Sequence, residues 1–426
     1  MKNIPEILIR KAEELEKRTE KRFPKLAPLM KQCFLNTIET TVDQLDDGSY
    51  FVITGDIPAM WLRDSAAQVK PYIKHANESE ELRAILRSVI EKHAFYVNID
   101  PYSNAFNAKE NGMVSPFDDH TDFESGYIWE RKYEVDSICA SLYLAHDYYS
   151  ATKDALIFTD SLHAMIKRIH DTFKAEQKHD ETNYFFLRGD EVNEYGGRGV
   201  PVKQSIGMTW SFCRPSDDGC IYGYLIPANM MAVVAMNYAA ELARAGWQDE
   251  VLAEECLALA AEINDGIEKY GVVEHPKYGK IYAYETDGFG NYNLMDDANS
   301  PSLLSIPYIG YAPVDDEIYQ NTRRFILSKD NPHYFEGKYA KGIGSPHTPR
   351  NYVWHIALSM QALTSVDDDE IQYCMDTIAE THAGTNYMHE SFNVDDPAQF
   401  TRPWFAWANT LFAQTVETIL DKEDAR

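Results

Sequence analysis

Apolar positions along the chain recur at the three-and-four spacing that keeps one face of a helix dry. The spacing is clearest in SICASLYLAHDYYSA, ANMMAVVAMNYAAELARAG, EVLAEECLALAAEINDGI, WHIALSMQALTS and WANTLFAQTVETILDK. Two further stretches, IPEILIRKAEELEKRTEKR near the start and SEELRAILRSVIEKHAFYVN, follow it. Helix is therefore the dominant predicted element. Strand-like runs are short: Tyr184 to Gly189 (YFFLRG) and Gly279 to Gly288 (GKIYAYETDG) read as hairpins between helices.

Between the helices lie loops dense in Gly, Pro, Asn, Asp and aromatic residues, such as MTWSFCRPSDDGCIYGYLIPAN, KGIGSPHTPRNYVWH and THAGTNYMHESFNVDDPAQFTRPWFAW. Each runs directly into a helix, and the loop-then-helix unit returns about every forty to sixty residues without a strict repeat. Helical hairpins set in a ring would gather such loops at one end, around the mouth of a pocket. The predicted class is thus all-α, a toroid of helical hairpins with short β-hairpins in the loops. An open solenoid would show clearer repeats and plainer loops. No linker, charge block or low-complexity tract divides the chain, so residues 1–426 read as one domain.

Charge narrows the function. With 67 acidic and 40 basic residues the formal charge is −27, which repels phosphate backbones and anionic membranes and excludes a nucleic-acid role. No run approaches the ~20 apolar residues of a membrane span. The opening MKNIPEILIRKAEELEKR is charged throughout and does not read as a signal peptide. Six scattered cysteines fit a reduced, cytoplasmic protein. The 27 Tyr and 7 Trp suit core packing and sugar faces alike.

Several kinds of site are missing from the sequence: a GxSxG elbow, a Walker-type phosphate loop, HExxH and paired CxxC. The acids and histidine of DDHTD, Asp118 to Asp122, lack a second ligand set and read as a polar turn. What remains is carboxylates beside aromatics and arginines. RPSDDGC supplies Arg214, Asp217 and Asp218, and NYMHESF supplies His389 and Glu390. Two acids from distant loops at one mouth could face each other, as glycoside hydrolysis requires: one protonates the departing oxygen, the other activates water or attacks carbon. Plainer uses stay open, with SDD capping the next helix and Glu390 paired with an arginine. In WLRDS, Trp61 offers a face for ring carbons, while Arg63 and Asp64 set a fork of donors beside two acceptors, as a grip on vicinal hydroxyls needs. On that reading, loss of Arg63 costs binding more than stability. A buried Arg63–Asp64 pair that fixes the loop is compatible with it.

These motifs resemble a known family. GDIPAMWLRDSAAQVKPY, YEVDS, RPSDDGC, IPANMMAV, MDDANSPSLLSIPY, GIGSPHT and HESF, in this order from about Phe23 to the last helix, are similar to those of glycoside hydrolase family 125, the metal-independent exo-α-1,6-mannosidases. The resemblance implies an (α/α)6 barrel that removes a terminal non-reducing α-1,6-linked mannose, with inversion, from mannosides or N-glycan fragments. It implies no metal and no other cofactor. It also implies Asp218, rather than Asp217, as general acid and Glu390 as general base, with Trp61, Arg63, Asp64, Arg214 and His347 as sugar contacts. Two rivals remain: a hydrolase or phosphorylase of glucose- or uronic-acid-based glycans, and a non-catalytic glycan-binding scaffold. A panel of glycosides separates the first; the second predicts that neutral replacement of Asp218 or Glu390 changes affinity little and turnover not at all, since there would be none.

Overall fold

The computed structural model of the chain describes residues 4–188 and 194–425. Met1 to Asn3, at the head of the charged opening, and Gly189, the last residue of the expected YFFLRG strand, lie outside the described residues. Among the described residues there are twelve α-helices: α1 (Glu6–Arg22), α2 (Ala27–Asn36), α3 (Leu62–Val69), α4 (Glu80–Ile99), α5 (Val135–Thr152), α6 (Asp160–Glu176), α7 (Ile226–Trp247), α8 (Glu250–Tyr270), α9 (Glu317–Ile326), α10 (His355–Leu363), α11 (Asp368–Thr381) and α12 (Ala406–Asp424).

They form an (α/α)6 barrel. In the inner ring α3 packs on α5 and α5 on α7; farther round, α10 packs on α12, which returns to α3 and closes the circle. The remaining inner place is filled by residues 302–311, a run of turns in which Pro307 denies a backbone donor. This segment is held by Tyr143 Oη, which donates to Ile309 O at 2.7 Å, and by Tyr308 Oη, which donates to Gln414 Oε1 at 3.2 Å. Behind the ring, α4 packs on α6, α8 on α7, α11 on α10, and α2 on α12.

The two rings differ in sequence as their surroundings demand. Inner helices are buried on every side: α5 is buried without a break from Val135 to Ala145, and α10 from His355 to Ala362. Outer helices carry a single apolar stripe, as in α6 with Leu162, Met165, Ile166, Ile169 and Phe173.

Their ends differ too. The outer helices α4, α6, α8, α9 and α11 start on Ser79, Thr159, Asp249, Asp316 and Asp367, whose side chains accept a first-turn N–H. The inner helices α3, α5, α7, α10 and α12 start instead on the extended residues Trp61, Glu134, Leu225, Trp354 and Phe405, with no side-chain cap. Short antiparallel sheets feed them. Met60–Trp61, Ala105–Phe106 and Ile128–Glu130 lead into α3; Tyr224–Leu225, Glu285–Thr286 and Tyr292–Asn293 into α7; Tyr352–Trp354, Ser391–Asn393 and Asp396–Thr401 into α10.

Boundaries refine the expectations from sequence. GKIYAYETDG divides between two sheets: Gly279–Tyr282 pairs with Val272–His275, and Glu285–Thr286 pairs with Tyr224–Leu225. Phe186–Arg188 pairs with Asp119–Thr121 rather than with a neighbour in sequence. No helix among the described residues is long and apolar enough to cross a membrane. The six cysteines are free and buried.

Candidate active site

The loop from Arg214 to Gly219 is a short turn held from several directions. Arg214 Nε donates to Glu285 Oε1 at 2.6 Å, and Asn299 Nδ2 to Pro215 O at 2.7 Å. Ser216 Oγ donates to Asp297 Oδ2 at 2.6 Å, and Lys132 Nζ to Asp217 O at 2.9 Å. Arg214 N donates to Asp218 O at 2.8 Å and closes the turn, with Asp217 at φ +70°. Aspartate tolerates that left-handed conformation better than most residues. The turn sends two adjacent carboxylates into different settings: Asp217 Oδ1 is shut off from solvent, while the Asp218 side chain is 32% exposed.

Two cavities meet at this turn. A narrow one of about 30 Å³ is lined by Trp61, Arg63, Asp64, Asn299, Glu390 and Arg402; a wide one of about 420 Å³ is lined by Lys132, Phe186, Arg188, Phe212 and Asp218. Asp217 and His347 line both and form the wall between them. Among the described residues Asp217 Oδ1 is buried with no hydrogen-bond partner. Burial pushes this carboxyl up, but Lys132, Arg63, His347 and Arg402 outweigh it and hold it below the usual carboxylate range.

Glu390 reaches the narrow cavity just ahead of the Ser391–Asn393 strand. It is buried; Thr401 Oγ1 donates to its Oε2 at 2.8 Å, and Arg402 Nη1 lies 3.7 Å from Oε1. Arg402 is braced from behind by Asp56, in the GDIPAMWLRDS segment. The glycine before Asp56 is required: Gly55 has φ +122°, and a Cβ there would stand 3.3 Å from Trp404 O.

Arg63 and Asp64 lie in the first turn of α3 rather than in the loop before it. Arg63 Nη1 donates to Glu134 Oε2 at 2.7 Å and Asp136 Oδ2 at 3.0 Å, and Nη2 lies 3.3 Å from Asp64 Oδ2. All four side chains are buried, so one guanidinium holds together the N-terminal turns of α3 and α5. Burial pushes the Glu134 carboxyl well above its usual range, against the pull of Arg63. The same opposition leaves Asp136 and Asp64 raised.

His347 joins the cavities chemically as well as spatially. Its Nδ1 lies 3.0 Å from Asp218 Oδ1. That hydrogen bond lifts the imidazole to about 9; burial opposes the rise, and the charges of Asp218, Asp217 and Glu390 add to it. The ring meets the edge of Trp354, whose Nε1 donates to Thr348 Oγ1 at 2.9 Å.

The structure thus brings Trp61, Arg63, Asp64, His347 and Glu390 to one cavity and Asp218 to its neighbour. Trp61 is buried against Trp129 and Ile57. Arg214 lines neither cavity: it lies behind the loop, its charge engaged by Glu285. SDD caps no helix, because the Tyr224–Leu225 strand intervenes before α7. In DDHTD, Asp119 pairs with Arg188 and Asp122 with Arg131, so arginines occupy the carboxylates that a metal would need. Among the described residues no group of three or more His, Cys, Asp or Glu side chains is placed to hold a metal ion. Arg402, Asn299, Lys132, Glu134 and Asp136 were absent from the candidate set. YEVDS held a signal for two of them, since it places Glu134 and Asp136 at the start of a helix.

A sequence profile of the metal-independent α-mannosidases (GH125) matches residues 24–417. The meiotically up-regulated gene 157 protein of Schizosaccharomyces pombe is 40% identical over 422 residues, covering 93% of this chain and 83% of that protein. A metal-independent α-mannosidase of Streptococcus pneumoniae, solved as a non-productive complex with α-1,6-mannobiose, is 43% identical. The match covers 99% of this chain and 100% of that one, with a TM-score of 0.95. A bacterial glucoamylase solved with acarbose shares the fold at 12% identity and a TM-score of 0.57, over 85% of this chain and 50% of that one.

Proposed function

The chain belongs to the metal-independent α-mannosidases of glycoside hydrolase family 125, and on that premise we propose that it removes terminal non-reducing α-1,6-linked mannose with inversion. The observation that carries this reading is the pair of joined cavities. The narrow one, with Glu390, Asp64 and Arg402 in its walls, is on this reading the place of the terminal sugar, and the wide one, edged by Asp218, the place of the departing alcohol. The α-1,6-mannobiose bound by the Streptococcus pneumoniae relative supports the linkage.

On this reading Asp218 protonates the glycosidic oxygen from the wide side, and Glu390 draws a proton from a water attacking the opposite face of the ring. An inverting pair stands roughly 6.5–9.5 Å apart, leaving room for that water. Asp217, ionised and unpartnered at Oδ1, accepts from a mannose hydroxyl or offsets positive charge growing at the anomeric carbon. Trp61 borders the sugar, and Asp64, steadied by Arg63, supplies an acceptor. Residues 1–426 act as one catalytic domain on mannose-bearing oligosaccharides, N-glycan fragments included. Six buried thiols suit a reducing cytoplasm.

The test is incubation with α-1,6-mannobiose while proton NMR follows the first mannose released. The β anomer is expected first, with no change in rate in a chelator, and Glu390→Gln should slow turnover ~10²-fold or more, the usual scale for a lost general base. Release of the α anomer would remove the inverting mechanism. Equal or faster cleavage of α-1,2- or α-1,3-mannobiose would remove the linkage assignment.

A further inference from the structure

Resting on the reading above, we infer that His347 stores the proton that Asp218 gives to the glycosidic oxygen. The geometry is specific. Among the described residues the His347 ring is the hydrogen-bond donor at the Asp218 carboxylate, Nδ1 to Oδ1 at 3.0 Å. The ring stands in the wall between the sugar cavity and the leaving-group cavity, where a donor to a departing oxygen has to be. A carboxylate that accepts a hydrogen bond from an imidazolium is ionised, so by itself it has no proton to deliver. The surroundings keep the charge on the ring. Asp217, Asp218 and Glu390 face it as anions, with Asp64 farther along the narrow cavity. Arg63 and Arg402 stand on the narrow side, and Lys132 and Arg188 on the wide side. His333 lies within reach of the Asp218 charge. The ring's rise to about 9 agrees with this arrangement.

The step balances as follows. In the resting enzyme the pair is imidazolium and carboxylate. When substrate excludes water from the wall, the Nδ1–H bond breaks and the proton passes to Asp218, leaving a neutral ring and a neutral acid. That acid protonates the glycosidic oxygen, which leaves with the electrons of the breaking C–O bond. Glu390 takes one proton from the attacking water, whose oxygen bonds to the anomeric carbon. Afterwards Glu390 loses its proton to solvent and His347 regains one.

The experiment compares the parent with His347→Gln on α-1,6-mannobiose and on 2,4-dinitrophenyl α-mannoside, whose leaving group needs no proton. In the parent, kcat/KM on mannobiose should fall as pH rises through about 9. In His347→Gln the proton has no imidazole to rest on, so the alkaline limb should move at least about two pH units toward acid. At pH 7 mannobiose turnover should fall ~10²-fold or more, while the dinitrophenyl substrate stays within about tenfold of the parent. Equal losses on both substrates with an unmoved limb would make His347 a sugar contact and overturn the inference. Nitrogen-15 NMR of the His347 ring tests the pair without relying on that variant: its titration should drop by more than about one unit in Asp218→Asn. An unchanged titration would also overturn the inference. A parent that cleaves neither substrate would defeat the mannosidase reading itself, whereas an active parent with an unmoved limb defeats the role of His347 alone.

Discussion

Arg63 looks, in sequence, like a fork of donors waiting for a sugar, and its surroundings give it a second and heavier task. Its Nη1 joins Glu134 and Asp136 from α5, and Nη2 faces Asp64, with every member of the group buried. Arg63→Ala would leave three carboxyl groups crowded without a cation, and removing one partner of a buried ion pair costs roughly 3–5 kcal/mol. The expected outcome is a large fall in the urea midpoint together with lost activity. A variant of near-parent stability with a raised KM would return Arg63 to the role of sugar grip. Short motifs of unusual composition suggested the Asp217–Asp218 pair, Glu390 and Trp61, and the family resemblance chose Asp218 and added His347. It did not suggest Arg402, Asn299 or Lys132, whose parts depend on partners far away in sequence. Arg402 reaches Asp56 across 346 positions, and Lys132 reaches the Asp217 carbonyl across 85. Asp217 is an intermediate case. Its charge was visible, but the shielding of its Oδ1 follows from a left-handed backbone that no residue pattern announces.

At the scale of elements, helix periodicity was the most legible feature, and the inner helices α5, α7, α10 and α12 read well because few charges interrupt their apolar runs. Four outer helices, α2, α6, α9 and α11, lay outside the stretches first read as helical. In α6 the stripe is regular but interrupted by charges; α9 and α11 are short and polar. The uncapped inner starts have a consequence for the site. The starts of α3, α10 and α12 carry Arg63, Asp64, Trp354 and Phe405 in the lining of the narrow cavity, so their first-turn N–H groups add positive potential where carboxylates gather. The loops are placed by close backbone contact. Gly207, at φ +95°, sits against α8 so tightly that a Cβ would stand 2.1 Å from Glu262 O, and it lies just upstream of Trp210 and the acid-bearing turn. Gly207→Ala must displace the loop from α8, so a loss of roughly 2–4 kcal/mol from overpacking and backbone strain is expected in denaturant melts. Gly290→Ala is the control: φ is +104° with nothing within 4 Å, leaving the conformational part alone, about 1 kcal/mol. Equal losses at the two positions would mean that the loop yields without cost and that contact with α8 does not set it.

For the molecule as a whole, the ring is the unit of stability, and its closure was the least legible property of the chain. Nothing local says that the last inner helix must return to the first, yet α12 packs on α3 and α10 at once and is backed by α2. It buries Trp407, Leu411, Phe412, Val416, Ile419 and Leu420, each contributing ~1.5–3 kcal/mol on burial. Together these rival the ~5–15 kcal/mol net stability of an ordinary domain. Removing α12 would also uncover α3 and α10 and strip Arg63 of Trp407, whose ring faces the guanidinium at 5.8 Å. A chain that stops at Phe405 is therefore expected to lose its near-ultraviolet circular dichroism and its cooperative heat transition together, whereas the complete chain should unfold in one transition as a single ring. Neighbouring hairpins that stayed folded without α12, or two separate transitions in the complete chain, would show that the hairpins hold themselves and that closure adds little. The proposed acid and base make the outcome matter for catalysis. Asp218 precedes α7 and Glu390 follows α11, so the two adjoining cavities they line stay together only while the circle between those hairpins stays closed.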